Sequence, residues 1–444
     1  MPSSKNVLLI NPWIYDFTAY DFWMKPLGLL YIAGMLKKCS NLSLHFIDCL
    51  DRHYPEIRDK LVSKSDGRGH FPKEEVPKPQ VLADIPRKFS RYGIPVFLFQ
   101  NELDRLSCPD LVLLSCTMTY WYPGVQAVVD LIRKKFGKIP IILGGVYPSL
   151  CPDHALALTG VDMICEGPGE SKIFSLVNEV LGDGVCPDIH PNTLEKMPYP
   201  FFSLLRDKIS LPLLTSRGCP LRCSFCASSI LFEKFEQRSS ESVVRELETM
   251  YALYRTNNIA LYDDALFLKR HTHIIPILKG IIQKKLPLSF HTPNGLHVGE
   301  IDDELAVFLR QAGFRSLYLS QETFEKDLIE NSCPKVSSGD LVRALDCLER
   351  AGFRREEINV YLMVGLPDQE IQGVKESILR VRHLGARARL SYFSPIPGTA
   401  DWEKIVSRGL LDEKSDPLLH NKLAFPYLWG NITPEEFGSL KRLI

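Results

Sequence analysis

Cys219, Cys223 and Cys226 lie close together in the stretch Thr215-Ser216-Arg217-Gly218-Cys219-Pro220-Leu221-Arg222-Cys223-Ser224-Phe225-Cys226. The spacing is CxxxCxxC, with an aromatic, Phe225, just before the last cysteine. Three thiolates this near one another can hold three corners of a 4Fe–4S cube, and the fourth iron is then open to a small molecule. A structural zinc site asks for four closed ligands, and no further Cys or His falls in the forty residues that follow. A disulfide set fails because three is odd and the chain reads as cytosolic. Three buried core cysteines would not need this spacing on a loop holding Gly218 and Pro220.

The elements that must position this loop belong to a chain of 444 residues, enough for two or three domains. Hydrophobic residues make up 45% and charged residues 24%, the balance of a globular protein. The formal net charge is zero, so no basic field draws the chain to nucleic acid or anionic lipid. The apolar run Val7–Ile10 is too short for a signal-peptide core, and no stretch approaches a membrane span. The expectation is a cytoplasmic protein with neither membrane nor nucleic acid as partner. Of the twelve cysteines, the nine outside the loop are scattered and read as small apolar fillers in a reducing compartment. Such thiol content also suits an anaerobic cell.

The first part alternates strand and helix signals. Val7–Asn11, Leu42–Asp48, Asp110–Cys116, Ile139–Leu143 and Asp162–Cys165 read as strands. Leu27–Leu36, Val125–Phe136 and Lys172–Leu181 read as helices. Residues 1–185 are therefore expected to form a doubly wound parallel sheet, whose ligands sit beyond the carboxyl ends of the strands. Those ends carry Asn11, Pro12 and Trp13; Thr117, Met118, Thr119 and Tyr120; Gly144, Gly145 and Tyr147; Glu166 and Gly167. No GxGxxG follows the first strand, which argues against NAD or FAD. Residues 53–106 form an insertion. Asp84–Leu106 is expected to be helix over the sheet, and Ser63–Gln80 to be mobile.

A Pro-rich linker, 186–208, leads to a second alternation over 209–400. Strands are expected at Leu211–Thr215, Ile259–Tyr262, Leu288–Thr292, Ser316–Leu319, Ile358–Val364 and Arg389–Phe393. Helices fall between them, the first over Ser242–Tyr254 with Ser240 as its cap. Six βα units in series suggest an open partial barrel with its site at the carboxyl ends of the strands. The tail, 401–444, reads as a short helical extension carrying Trp402, Tyr427 and Trp429.

The cysteine loop and the order of these strand ends resemble the radical S-adenosylmethionine (SAM) superfamily. The region before them resembles the cobalamin-binding domain that precedes many radical-SAM domains. The resemblance implies a 4Fe–4S cluster on Cys219, Cys223 and Cys226, with SAM at the open corner beside Phe225. It places the SAM amino group near Tyr262, Asp263 and Asp264. Asn294 follows the third strand, Ser320 and Glu322 lie near the expected ribose, Val364 and Gly365 lie near the adenine, and Pro395 follows the sixth strand. It also implies cobalamin against the N-terminal strand ends. One departure stands out: many cobalamin domains carry DxHxxG after the first strand, whereas Asn11–Pro26 holds no histidine. Asp51-Arg52-His53 fits DxH but follows the second strand and has Glu56 at the glycine position, so it reads as a surface tripeptide. The lower face of cobalt is left unassigned, with Trp13 the nearest side chain to cover it.

The activity implied is methylation of an unactivated carbon of a small-molecule or peptide substrate. One SAM supplies the initiating radical and a second remethylates cobalt. A flavodoxin or ferredoxin would donate the electron. A cobalamin-using radical enzyme that rearranges or cyclises its substrate is the alternative. A tRNA methylthiotransferase would need a cysteine-bearing N-terminal cluster domain and an RNA-binding tail. A cobalamin carrier or sensor without catalysis would not need the cysteine loop.

Overall fold

The computed structural model describes every residue except 1–3, 188–189, 334–335, 338 and 429–431, so Trp429 lies outside the described residues. The chain divides into two compact units. The first is Met1–Lys208 with Asp416–Leu419, and the second is Ile209–Ser415 with His420–Ile444. Among the described residues, no helix is long and apolar enough to cross a membrane.

The first unit contains strands β1 (Lys5–Asn11), β2 (Ile14–Asp16), β3 (Leu42–Asp48), β4 (Lys73–Glu75), β5 (Ser90–Tyr92), β6 (Leu111–Ser115), β7 (Ile141–Gly144) and β8 (Met163–Cys165). Its helices are α1 (Leu27–Leu36), α2 (Val96–Asp104), α3 (Tyr122–Phe136), α4 (Val146–Leu150), α5 (Pro152–Leu158) and α6 (Ile173–Leu181). Five strands form one parallel sheet in the order β3-β1-β6-β7-β8. The run Val7–Ile10 is fully buried in its middle, as the uninterrupted apolar stretch of a strand covered on both faces requires. One face packs Val7, Leu9, Leu113 and Ile142 against Leu29, Ala33, Phe174 and Val177.

The insertion differs from its expected form. Asp84–Leu106 is helical only over α2, because Pro86 and the Gly93-Ile94-Pro95 turn exclude a helix before Val96. The segment expected to be mobile is instead tied down: Gly69 exchanges two backbone bonds with Asp21, and β4 pairs with β5. β5 in turn pairs antiparallel with β2, so the insertion braces the loop that follows β1.

The second unit begins with β9 (Ser210–Leu213), β10 (Ser216–Arg217), α7 (Ser228–Leu231), β11 (Glu236–Gln237), α8 (Ser240–Tyr254), β12 (Asn258–Leu261), α9 (Ile274–Gln283) and β13 (Ser289–His291). It continues with β14 (Leu296–His297), α10 (Asp303–Ala312), β15 (Phe314–Ser316), β16 (Tyr318–Glu322), α11 (Lys326–Ser332) and α12 (Asp340–Arg350). β17 (Asn359–Val364), α13 (Ile371–His383), β18 (Arg387–Tyr392) and α14 (Ala400–Ser407) follow. Two parallel sheets, β15-β13-β12-β9 and β14-β16-β17-β18, meet where the chain passes from β15 to β16 at Leu317. Followed through that break, the strands run in the sequence order of six βα units, the expected partial barrel. The cap of α8 is Ser239 rather than Ser240: its hydroxyl accepts from Ser242 N–H. The C-terminal helix Pro434–Arg442 carries a capping box from Thr433 and Glu436.

Candidate active site

The cysteine loop leaves the carboxyl end of β9. Buried hydroxyls and carboxylates fix its entry. Asp263, just beyond β12, accepts from Thr215 Oγ1 at 2.6 Å and Ser216 Oγ at 2.7 Å, and from both backbone N–H groups. Burial pushes the Asp263 carboxyl up, and these four donors oppose that push. Arg238 N–H bonds to Thr215 O, and the Arg238 side chain reaches Leu214 O and pairs with buried Glu246. At the exit, Ser228 Oγ donates to Asp264 at 2.7 Å, and burial raises that carboxyl as well.

Cys219 and Cys223 are half-buried, Cys226 is exposed, and all three line one cavity of about 550 Å³. That volume lies within the ordinary range for small-molecule sites. Among the described residues, no three His, Cys, Asp or Glu side chains converge on one metal ion. Three thiols on one loop, with no fourth ligand converging among the described residues, fit the donor set of a cube with an open corner.

The other expected SAM contacts divide. Phe225, Asp264, Asn294, Ser320 and Glu322 line the cavity together with the cysteines. Asp263 is spent on the loop knot, and Tyr262 offers its backbone carbonyl, which accepts from Asn294 Nδ2 at 2.9 Å. Gly365 N–H is held by Gln369 Oε1 at 2.8 Å, behind the wall that Met363 provides. Val364 is buried. Pro395 stands between two lining residues, Ser394 and Ile396. Gly295 is required by close approach: a Cβ there would meet Ser320 Oγ at 1.9 Å. Glu322 adopts φ +63° where the register of β16 on β17 slips, an unfavourable conformation for a non-glycine residue. Tyr361, Met363, Tyr392, His297 and Lys422 also line the cavity, and sequence reasoning did not single them out. Tyr361 lies in the β17 run, where barrel-facing and core-facing residues cannot be told apart by composition.

The N-terminal strand ends form a second group. Gly145 has φ +102°, and a Cβ there would meet Cys116 O at 2.5 Å, so only glycine fits. Ser149 links two of the expected turns, donating to Gly145 O at 2.7 Å and accepting from Gly167 N–H at 2.8 Å. The exposed Thr117 and Glu166 lie at the ends of β6 and β8, on either side of β7, with the half-buried Met118 beside Thr117. Thr119 and Tyr120 turn inward and are buried. Tyr147 is buried, with its hydroxyl 2.6 Å from His154 Nδ1, a pairing absent from the sequence reading.

Asn11 donates to Asp48 at 2.7 Å, and Pro12 is buried. Trp13 is 1% exposed: its indole N–H donates to Ile94 O at 2.7 Å and its ring packs on Phe99. Trp13 is thus occupied in packing the insertion against β1, which leaves no ring face to cover a ligand. His53 Nε2 lies 3.3 Å from Asp207, in a cluster with Lys25, Asp51 and Arg206. Burial pushes the His53 imidazole down, while burial with neighbouring Asp51 raises Asp48 to about 6.

Residues 213–381 match the radical SAM superfamily, and residues 102–176 match the B12 binding domain. The second match contains the turns from Thr117 to Gly167 but not Asn11–Trp13. An uncharacterized methyltransferase of Pyrococcus horikoshii is 24% identical over 331 residues, 68% of this chain and 71% of that protein. The hopanoid C-3 methylase of Methylococcus capsulatus is 22% identical over 369 residues, 75% of this chain and 69% of that one. The solved radical S-adenosylmethionine methyltransferase TsrM of Kitasatospora setae has a TM-score of 0.70 at 16% identity, over 99% of this chain and 89% of that chain. At that identity the likeness speaks for fold. The two domains imply their cofactors: SAM and a 4Fe–4S cluster for the first match, cobalamin for the second.

Proposed function

We propose that this chain, which joins a B12 binding domain to a radical SAM domain, is a cobalamin-dependent methylase of an unactivated carbon. The observation that carries the reading is the convergence of Cys219, Cys223 and Cys226 with Asn294, Ser320 and Glu322 on one cavity. The methylase and methyltransferase relatives favour methylation over rearrangement or cyclisation. We take 1–185 as the cobalamin domain with its insertion 53–106, 186–208 as linker, 209–400 as barrel and 401–444 as C-terminal extension.

The three thiolates would hold the cluster, and Phe225 would shield it. Asn294, fixed to the Tyr262 carbonyl, and the Ser320–Glu322 segment would orient SAM. Together the bound groups supply a carbon-centred radical and a transferable methyl group. The protein's share is orientation and exclusion of water. Tyr361 serves that end: its hydroxyl donates to Pro293 O at 2.9 Å, and its ring stacks on Tyr318, so the cavity wall is rigid. The Gly145 turn, closed against Cys116 O, fixes the backbone at the end of β7 beside which cobalamin would sit. A radical SAM enzyme needs an electron donor and a substrate. We assign the donor to the flavodoxin or ferredoxin class and the substrate to small molecules or peptides.

The test is anaerobic reconstitution with cobalamin, iron and sulfide, followed by reduction in the presence of SAM. Formation of 5′-deoxyadenosine is expected, along with S-adenosylhomocysteine when substrate is present. A triple Cys219→Ala, Cys223→Ala, Cys226→Ala variant should bind no cluster and form no 5′-deoxyadenosine. A full cluster in that variant, or tightly bound zinc in the native chain, would refute the assignment.

A further inference from the structure

Three carboxylates hold the cysteine loop, each through a hydroxyl: Asp263 at its entry, Asp264 at its exit and Asp401 in its middle. The first two come from the turn after β12. The third comes from the C-terminal segment, 177 positions along the chain from its partner Ser224. We infer that Asp401 is a positioning residue for the cluster: through Ser224 it fixes the part of the loop between Cys223 and Cys226. The inference rests on those cysteines holding the cluster.

Every backbone and side-chain polar group of Ser224 is engaged outside its own loop. Its hydroxyl donates to Asp401 Oδ2 at 2.7 Å, its carbonyl accepts from Asp401 N–H at 3.0 Å, and its N–H donates to Ser332 O at 3.1 Å. The two Asp401 bonds close a ring between one residue and the other, which fixes orientation as well as distance. Within the loop, by contrast, Cys226 N–H bonds back to Cys223 O at 3.1 Å. The turn that presents the last two cysteines is therefore shaped locally but held from outside at Ser224.

Asp401 also sits in the first turn of α14, where an acid favours the helix dipole. That role alone would leave it at the surface, since burying a carboxylate is costly unless it is paired and hydrogen-bonded. Asp401 is instead 0% exposed, with its second oxygen 3.4 Å from Lys404 Nζ. Thr399 caps the same helix turn, which fixes Asp401 on its scaffold. The ring with Ser224 accounts for the burial, and the placement gives the C-terminal segment a grip on the cluster loop.

The test follows cluster loss to a ferrous-iron chelator from full-length reconstituted protein, in native, S224A, D401A and D401N forms. S224A and D401A should lose the cluster about fivefold faster, the ratio one hydrogen bond sets. The apo chains should keep the same secondary structure by circular dichroism. D401N should recover a near-native rate, because its amide can hydrogen bond the Ser224 hydroxyl whichever way it faces. A native rate in S224A, or no recovery in D401N over D401A, overturns the inference. If D401A does not fold, the S224A rate decides the matter alone. A native chain that takes up no cluster would instead refute the proposed function, so the two failures are distinct.

Discussion

The Thr215 hydroxyl donates to the Asp263 carboxylate at 2.6 Å while lying 2.9 Å from His273 Nε2. A hydroxyl has one proton to give. With that proton given to Asp263, the Thr215 oxygen faces the His273 ring nitrogen as an acceptor. Asp263, Thr215 and His273 are at most 4% exposed, so the entry of the cysteine loop rests on a buried polar chain.

Replacing Asp263 by Ala removes the acceptor for two hydroxyls and two backbone N–H groups. Each buried donor left unmatched costs about 1–3 kcal/mol, less where neighbours relax. We expect a loss of about 3 kcal/mol in denaturant unfolding of the apo chain, together with reduced iron uptake. Asp263→Asn should fall between native and Ala. Native stability in Asp263→Ala would show that the loop entry is held by something else.

Burial holds the His273 imidazole down at about 4. A depressed histidine costs nothing above its unfolded value, about 6.5. Below that value the unfolded chain takes up a proton that the folded chain refuses, so stability falls as pH drops from about 6.5 toward 4. The full difference is about 3 kcal/mol. Comparison with His273→Gln isolates this contribution from that of Asp48, whose raised carboxyl acts in the opposite direction. Parallel pH–stability curves for the two proteins would contradict it.

Cobalamin should bind without histidine ligation to cobalt. The loop after β1 contains no histidine, and His53 Nε2 lies 3.3 Å from Asp207 in the cluster with Lys25 and Asp51. Electron paramagnetic resonance of the cob(II)alamin form should show no nitrogen splitting from the protein, and His53→Ala should leave the spectrum unchanged. Splitting that vanishes in His53→Ala would make that histidine the ligand.

What the sequence revealed was local or periodic. The cysteine spacing, the apolar run Val7–Ile10 and the polar residues closing each strand could all be read directly, and they yielded the parallel sheet and the partial barrel. What the sequence did not show was either non-local or without a local marker. The strands β2, β4 and β5 are three residues each, too short for an alternating pattern, and the pairing of β2 with β5 joins distant positions such as Ile14 and Tyr92. Asp84–Leu106 reads as a helix by its apolar content, but Pro86 and Pro95 inside it confine the helix to Val96–Asp104. Ser224 with Asp401 and Tyr147 with His154 are contacts between side chains that carry no motif. The left-handed Glu322 had no sequence signal, because glycine is the residue that usually marks such a conformation.

Methyl-deuterated SAM tests the methylase reading most directly. The reduced, cobalamin-loaded protein would be incubated with it and an anaerobic small-molecule extract, and enzyme-dependent products would be followed by mass spectrometry. The account predicts a product carrying the labelled methyl, with 5′-deoxyadenosine and S-adenosylhomocysteine both accumulating. An enzyme-dependent product formed with 5′-deoxyadenosine but without label would contradict it and establish a rearranging or cyclising enzyme in its place.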